Sequence, residues 1–229
     1  SGINTYTGAT TLNGGKLVLS VSGSIANSSG VTSSGAGVLD ISATTSGASV
    51  VSLTGSSTAT SGVVLGAKTL TLSNASGTYS GVIGGTGGLT LTAGVETLSG
   101  ANSYTGVTTL NGGVLSVSSL ANGGVNSNIG ASSSVPANLI INGGTLQYTG
   151  AAQSLDRMFT LGVQGGALDA SGTGAINFTG SGSVTLVGTG TRTLTLKGNN
   201  TGNNTLIAIL PNDASANATS LVKSGTGNW

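Results

Sequence analysis

Residues 1–17, SGINTYTGATTLNGGKL, are nearly repeated at residues 99–115, SGANSYTGVTTLNGGVL. The two blocks, copy 1 and copy 2, differ at four positions and lie 98 residues apart, measured from Tyr6 to Tyr104. A shorter echo, INGGTL at residues 141–146, keeps only the Asn-Gly-Gly-x-Leu end of the block. Self-similarity at a long spacing is typical of repeat architectures, in which each unit buries its apolar face against its neighbours.

Short segments outside the blocks alternate apolar residues with Thr or Ser, which is the period-two pattern of a strand with one face inward. Glycine clusters and Asn-Gly steps separate them and supply residues that tolerate positive φ at tight corners. The alternation predicts strands at residues 16–20, 38–42, 50–53, 69–73, 89–92, 95–99, 139–141, 175–179, 184–187, 191–197 and 205–210. Residues 154–159 mix charge and bulk, and are predicted to form a single helical turn or a rim insertion.

These features predict one all-β domain, an elongated parallel β-solenoid over residues 1–229. An antiparallel sandwich or barrel is the alternative, because short strands with frequent turns also build those folds. The long duplication favours the solenoid, and so does the wealth of Thr, Ser, Asn and Val, which stack well on copies of themselves. Aromatic residues, at 3%, are too few for a wide two-sheet core. Coils of about 20 to 45 residues would give on the order of five to eleven coils.

The composition excludes several kinds of chemistry. The chain has 42 Gly, 6 Lys+Arg, 5 Asp+Glu and no Cys or His, which removes disulfides, thiol and imidazole catalysis, and zinc or haem sites that use those ligands. Clustered basic residues for nucleic acid are missing. No apolar run approaches the ~20 residues of a membrane span. Because few groups titrate, we expect stability to be insensitive to pH and salt.

Parallel β-helices also host polysaccharide-active enzymes, which need converging carboxylates. Here the acids are dispersed, at Asp40, Glu96, Asp156, Asp169 and Asp213. Asp156 and Asp169 could stack on adjoining coils, but a surface salt bridge with Arg157 is the expected role of this pair. The glycine clusters fit corners and not a phosphate-binding loop. The sequence therefore predicts no enzyme, no catalytic residue, no cofactor and no metal.

Two patterns invite a functional interpretation. Threonine runs at residues 69–71, 90–92 and 191–195 could form a flat water-ordering face, but Thr is also the ordinary uncharged residue of an exposed strand. The second interpretation is preferred because Arg192 interrupts the longest run and regular spacing is missing. For the tyrosines shared by the two copies, stacking or capping is preferred to sugar binding. The residues predicted to have a structural role in the repeat motif are Tyr6, Gly8, Asn13, Gly14, Gly15, Tyr104, Gly106, Asn111, Gly112 and Gly113.

The stretch SGANSYTGVTTLNGGVLSV at residues 99–117, with SGTGNW at residues 224–229, resembles the passenger-associated repeat of bacterial autotransporters. The resemblance covers both copies well, residues 141–146 and the C-terminal stretch in part, and residues 31–78 in composition only. It rests on Ser99, Gly100, Asn102, Tyr104, Thr105, Gly106, Thr108, Thr109, Asn111, Gly112, Gly113 and Leu115. It implies a right-handed parallel β-helix displayed outside an outer membrane, in which the repeat aids secretion and stability.

The expected function is therefore that of an extracellular or cell-surface stalk or filament scaffold. The alternative is an adhesin that binds glycans or host or neighbouring-cell surfaces, a role that the family also includes; a polysaccharide-active enzyme is the lower-ranked option. Residues 220–229 resemble residues 82–89, which lead into copy 2, so we expect the chain to be part of a longer tandem array. The expected partners are further copies joined end to end, or a surface glycan or host receptor.

Overall fold

The computed structural model of the chain describes residues 2–229, so that Ser1, the first residue of copy 1, lies outside the described residues. Over this range the chain is all-β, with 24 strands and a single 3-10 turn at Pro136–Asn138. The strands build a solenoid with three faces. Residues 2–229 contain no helix long and apolar enough to cross a membrane.

The first face is a ten-stranded sheet, formed in spatial order by β1 (Thr10–Leu12), β3 (Val31–Ser33), β6 (Leu53–Gly55), β9 (Ala75–Tyr79), β12 (Gly94–Leu98), β14 (Val114–Val117), β16 (Thr145–Tyr148), β19 (Gly166–Ala170), β22 (Arg192–Lys197) and β24 (Thr219–Lys223). The second face is a seven-stranded sheet of β5 (Ala48–Val50), β8 (Leu70–Leu72), β11 (Leu89–Leu91), β13 (Thr108–Leu110), β15 (Leu139–Ile141), β18 (Thr160–Gly162) and β21 (Thr185–Val187). The third face holds a four-stranded sheet of β2 (Lys16–Val21), β4 (Val38–Thr44), β7 (Val63–Val64) and β10 (Ile83–Gly84), and a three-stranded sheet of β17 (Gln153–Leu155), β20 (Ile176–Phe178) and β23 (Thr205–Leu206).

Every pairing between these strands is parallel, and each strand inside a sheet pairs with strands of the coils before and after it, whereas the edge strands pair on one side only. From β5 onward the chain visits the seven-stranded sheet, the ten-stranded sheet and the third face in that order. The third-face strand is missing between β12 and β13 and between β14 and β15, and the seven-stranded sheet has no strand between β23 and β24. The coils differ in length: a short step joins the register partners Val95 and Val114, and the longest joins Val114 and Thr145. The predicted parallel β-solenoid is confirmed.

All the predicted strand segments contain strand residues, but two local predictions are wrong. Residues 50–53 are not one strand: β5 ends at Val50 and β6 begins at Leu53, because the chain turns there from the seven-stranded to the ten-stranded sheet. Residues 154–159 form no helical turn. Gln153–Leu155 is a strand that pairs in parallel with Ile176–Phe178, and Leu155 and Phe159 are both buried.

The core is a set of apolar columns that run along the solenoid, since inward positions stack directly on one another. One column on the seven-stranded sheet consists of Val50, Leu72, Leu91, Leu110, Ile141 and Leu161, all buried and in direct register. Burying each such side chain contributes about 1.5–3 kcal/mol. Slim aliphatic columns therefore provide most of the core, as the composition indicated.

One long excursion interrupts the regular winding. Residues 118–138 leave the solenoid after β14 and return at β15. The excursion accounts for the long step between Val114 and Thr145. Arg157 and Asp156 hydrogen-bond to this excursion and hold it to the solenoid.

Candidate functional site

The tyrosines of the two copies make the same local contact. The Tyr104 hydroxyl lies 2.7 Å from the Thr108 hydroxyl, and the Tyr6 hydroxyl lies 2.6 Å from that of Thr10. Their burial differs: Tyr104 is 0% exposed, whereas Tyr6 is 42% exposed. Burial raises the pKa of Tyr104, although the hydrogen bond with Thr108 lowers it in part. The local structure is thus shared and the surroundings are not.

The glycines of the two copies show the same difference. A Cβ atom added to the copy 2 glycines would lie 2.4, 2.3 and 2.4 Å from backbone oxygens of the preceding coil, at Gly106, Gly112 and Gly113 respectively. The same atom would meet nothing within 4 Å in copy 1, at Gly8, Gly14 and Gly15. Corner glycines of copy 2 therefore permit coil-on-coil contact, and those of copy 1 face open space.

The asparagines hold the corners by different bonds. Asn13 accepts a hydrogen bond from the Ser34 hydroxyl through its side-chain oxygen at 2.9 Å. Asn111 instead donates its backbone N–H to the Leu91 carbonyl at 2.8 Å. The copies also lie on different faces, because β1 and β2 belong to the ten-stranded sheet and third face, whereas β13 and β14 belong to the seven- and ten-stranded sheets. The motif thus encodes a strand–corner–strand unit and not one fixed face.

The five acids do not converge. Residues 2–229 contain no group of three or more Asp, Glu, His or Cys side chains positioned to hold a metal ion. Burial raises the pKa of Asp40, but hydrogen bonds from Ser42 and Lys16 outweigh it and lower the pKa overall; the Lys16 ammonium lies 3.0 Å away. The backbone N–H of Gly190, followed by those of Asn217 and Ser215, lowers the pKa of Asp213 to about 2.

The expected surface salt bridge of Asp156 and Asp169 with Arg157 is wrong. Arg157 is only 2% exposed. Its guanidinium donates hydrogen bonds to three carbonyls of the excursion, those of Ala121, Ser132 and Gly130, at 2.7, 3.0 and 2.9 Å. Asp156 accepts a bond from the Gly123 N–H at 2.8 Å, also in the excursion. Asp169 lies on the ten-stranded sheet, 3.9 Å from the Lys197 ammonium.

The role of Arg157 could not be predicted from the sequence, because residues 118–138 have no periodicity that would place their carbonyls around its guanidinium. Arg192 is a second buried guanidinium of this kind. It donates to the carbonyls of Leu161 and Gly188 at 3.0 and 2.7 Å, with the Asp213 carboxylate at 3.5 Å. Both arginines therefore stabilise irregular backbone from inside the solenoid.

Glu96 is the one acid of the described chain that occupies an apolar column. It is 0% exposed, and its register neighbours are Gly77 on one side and Leu115 on the other. Burial raises its pKa to about 8; the Leu53 N–H lowers it in part, although neither carboxylate oxygen makes a hydrogen bond of normal geometry. Glu96 therefore leads us to expect that stability depends on pH, in contrast to the expectation from composition. The alternation in Val95-Glu96-Thr97-Leu98 carried the signal, because Glu96 shares the inward face with Leu98.

The outer side of the ten-stranded sheet carries a regular hydroxyl ladder. Six successive coils place a hydroxyl in one column, in the order Thr11, Thr32, Thr54, Thr78, Thr97 and Ser116. Further along, the column continues with Gln147, Asp169 and Lys197. The ladder contains none of the threonines from the runs at residues 69–71, 90–92 and 191–195, of which the first two lie on the seven-stranded sheet. Arg192, in the third run, points inward and is buried.

Two recesses mark the surface. An apolar one of about 230 Å³ lies at the end of the solenoid near the C-terminal strand, lined by Leu194, Leu206, Leu221 and Trp229 among others. A polar one of about 260 Å³ lies on the ten-stranded sheet and is lined by residues of β16, β19 and β22 and their corners. The polar recess is the better candidate for a ligand, because it combines several hydroxyls with a carboxamide and an ammonium group.

The fold is that of a parallel β-solenoid, and its surface among residues 2–229 carries the two recesses described above. No protein-family model and no solved structure matches the chain. The Adhesin BmaC autotransporter of Brucella suis biovar 1 (strain 1330) is 46% identical over 117 residues, which is 50% of this chain and 3% of that protein. The chain thus spans a small part of the length of this relative, and the predicted resemblance to autotransporters is confirmed by it.

Proposed function

We propose that the chain is a rigid, non-enzymatic segment of an autotransporter-like passenger, located outside the cell, and that it serves as a stalk or scaffold. The observation that carries this proposal is the uninterrupted ten-stranded parallel sheet, which runs through the described chain over an aliphatic interior. Nine steps of about 4.8 Å give a rod about 43 Å long. The similarity to an autotransporter supports the extracellular location.

Removal of whole coils tests this role. Leu70, Leu89 and Thr108 are register partners in successive coils, so deletion of residues 70–107 removes two coils and joins equivalent points. We expect the shortened chain to fold and its rod to lose about 10 Å, measured by small-angle scattering. A control deletion of residues 70–98 ends between register points and is expected to abolish cooperative unfolding. A two-coil deletion that unfolds the protein would contradict a modular rod.

Surface location is tested by fusing the chain to an autotransporter translocation domain and exposing intact cells to protease. The proposal requires that the chain and its two-coil deletion both reach the surface. Retention of the intact chain in the periplasm would overturn it. A fusion that carries the control deletion serves as the reference for a chain that is secreted without a folded rod.

For the repeat-motif residues we propose a structural role, supported by the Tyr104–Thr108 bond and the tight packing at Gly106, Gly112 and Gly113. The same residues in copy 1, including Tyr6, keep the local geometry without the packing. Their individual effects on stability are the measurable consequence of this role.

An adhesive role is the second candidate, favoured by the name of the relative and by the polar recess. In this role the solenoid presents a binding surface in addition to length. Cells displaying the intact chain would then adhere to glycan-coated surfaces more strongly than cells displaying the translocation domain alone. Equal adherence would leave the stalk role and eliminate the adhesin.

End-to-end association with further copies, as a tandem array or between chains, is also part of the proposal. Its support is the apolar side chains exposed at the two ends of the described coil stack, which are Ile3, Val18 and Val21 at one end and Ile207, Ile209 and Leu221 at the other. Sedimentation of the purified chain over a range of concentrations tests association. A monomer at all concentrations would contradict self-association of separate chains.

A further inference from the structure

The polar recess on the ten-stranded sheet exists because one outward side chain is small. Thr145, Ala167 and Thr195 are direct register partners on β16, β19 and β22, so Ala167 lies between two threonines in the same outward column. Val95 and Val114 occupy this column in earlier coils. Alanine in place of valine leaves the space between the two threonine hydroxyls unfilled.

Several polar groups line the recess without a partner in the described chain. The hydroxyls of Thr145, Thr193 and Thr195 and the side-chain amide of Gln164 make no hydrogen bond within residues 2–229, although all four residues line the recess. Thr145 is only 9% exposed as a residue, but its hydroxyl keeps contact with the solvent in the recess. These groups are accessible from the recess, so their donors and acceptors are free to bond a ligand.

Lys197 adds a positive charge at the edge. Its ammonium lies 3.9 Å from Asp169, too far for a short charge-assisted hydrogen bond. Asp169 also accepts hydrogen bonds from Ser171 and Gln147, which fill about two of the four acceptor sites of its carboxylate, so Lys197 is not its only partner. An ammonium has three donors, and that of Lys197 is therefore available to a second anion.

We propose that this recess binds one carboxylated sugar unit of a glycan, an inference that rests on the adhesive role proposed above. The three hydroxyls and the Gln164 amide match the donors and acceptors of a sugar ring, and Lys197 matches its carboxylate. The volume of about 260 Å³ suits a single unit and not a longer oligomer. No aromatic side chain lines the recess, so recognition depends on hydrogen bonds and charge.

The decisive variant is Ala167→Val. It fills the recess with a side chain that the same column already holds at Val95 and Val114, and it does so on an outward strand position that suits valine. Thr97→Val on the hydroxyl ladder of the same sheet is the matched control. Thermal unfolding of both variants shows whether the fold is kept.

Binding is measured by titration calorimetry with methyl glucuronide and, as the neutral counterpart, methyl glucoside. We expect glucuronide to bind at least ten-fold more tightly than glucoside, Ala167→Val to weaken it at least ten-fold, and Thr97→Val to leave it unchanged. Lys197→Gln is expected to remove the preference for the carboxylate. Failure of the intact chain to bind glucuronide, or equal binding by Ala167→Val, would overturn the assignment.

Adherence of displaying cells separates this inference from the adhesive role itself. If cells with the intact chain adhere to glycan surfaces and cells with Ala167→Val adhere equally, the adhesin stands and the recess is not its site. If the intact chain gives no adherence and no glucuronide binding, both fail. Loss of adherence in Ala167→Val alone, with an unchanged melting temperature, supports both.

Discussion

Copies 1 and 2 have nearly the same sequence, but neighbouring coils surround them differently. Each makes the same tyrosine–threonine bond, between Tyr6 and Thr10 and between Tyr104 and Thr108. Within residues 2–229, copy 2 is enclosed between a preceding and a following coil, whereas no described coil precedes copy 1. The comparison shows that the motif dictates local geometry, and that neighbouring coils decide how much each residue contributes to stability.

The largest expected effect concerns the acid against which copy 2 packs, since Glu96 is the register partner of Leu115. The ordinary pKa of the Glu96 carboxyl, which applies in the unfolded chain, is 4.5, and burial raises this pKa to about 8 in the folded chain. Below pH 4.5 both states hold the proton and stability is full. As pH rises towards 8 only the unfolded chain releases it, so the free energy of unfolding falls by roughly 3 to 5 kcal/mol.

Glu96→Gln keeps the shape of the side chain and cannot ionise. We expect its urea-unfolding free energy to be nearly flat between pH 5 and 8, and to exceed that of the native chain at pH 8. Asp40→Asn is the matched control, because Asp40 has a lowered pKa and its contribution is lost on the acid side instead. A native chain that is as stable at pH 8 as at pH 5 would contradict the buried position of Glu96.

Features of the fold that depend on neighbouring residues could be predicted from the sequence, and features that depend on contacts between coils could not. Alternation within a segment such as Leu89–Leu91 depends only on neighbouring residues, so strands and inward columns could be predicted. The face on which each copy lies could not, because coil steps of unequal length accumulate along the chain. The recess at Ala167 was equally hidden, since it needs threonines from two other coils in direct register.

A second effect separates the two copies directly. Gly106→Ala would place a Cβ 2.4 Å from the Gly87 carbonyl oxygen, and the contact is with backbone that cannot rotate away. We expect it to lower the free energy of unfolding by about 3 kcal/mol. Gly8→Ala, at the equivalent position of copy 1, should cost less than about 0.5 kcal/mol. Chemical denaturation measures both, and equal effects would mean that copy 2 is not enclosed.

The smallest effect concerns the shared hydrogen bond. Tyr104→Phe leaves the buried Thr108 hydroxyl without its tyrosine partner, and we expect a loss of about 1 kcal/mol. Tyr6→Phe removes the same bond where water can replace it, so the loss should fall below about 0.5 kcal/mol. Thermal melts of both variants test the difference. An equal loss in the two would show that burial does not set the value of this bond.

The stacking of coils is tested most directly by distances along the hydroxyl ladder. The chain has no cysteine, so pairs of spin labels can be placed at Thr11 together with Thr97 or Lys197 without other reactive thiols. Four coil steps separate the first pair of labels, and eight coil steps separate the second pair. Double electron–electron resonance should therefore give distances of about 19 Å and about 38 Å. Distances that double with the number of steps support the solenoid, and a second distance no longer than the first would contradict it.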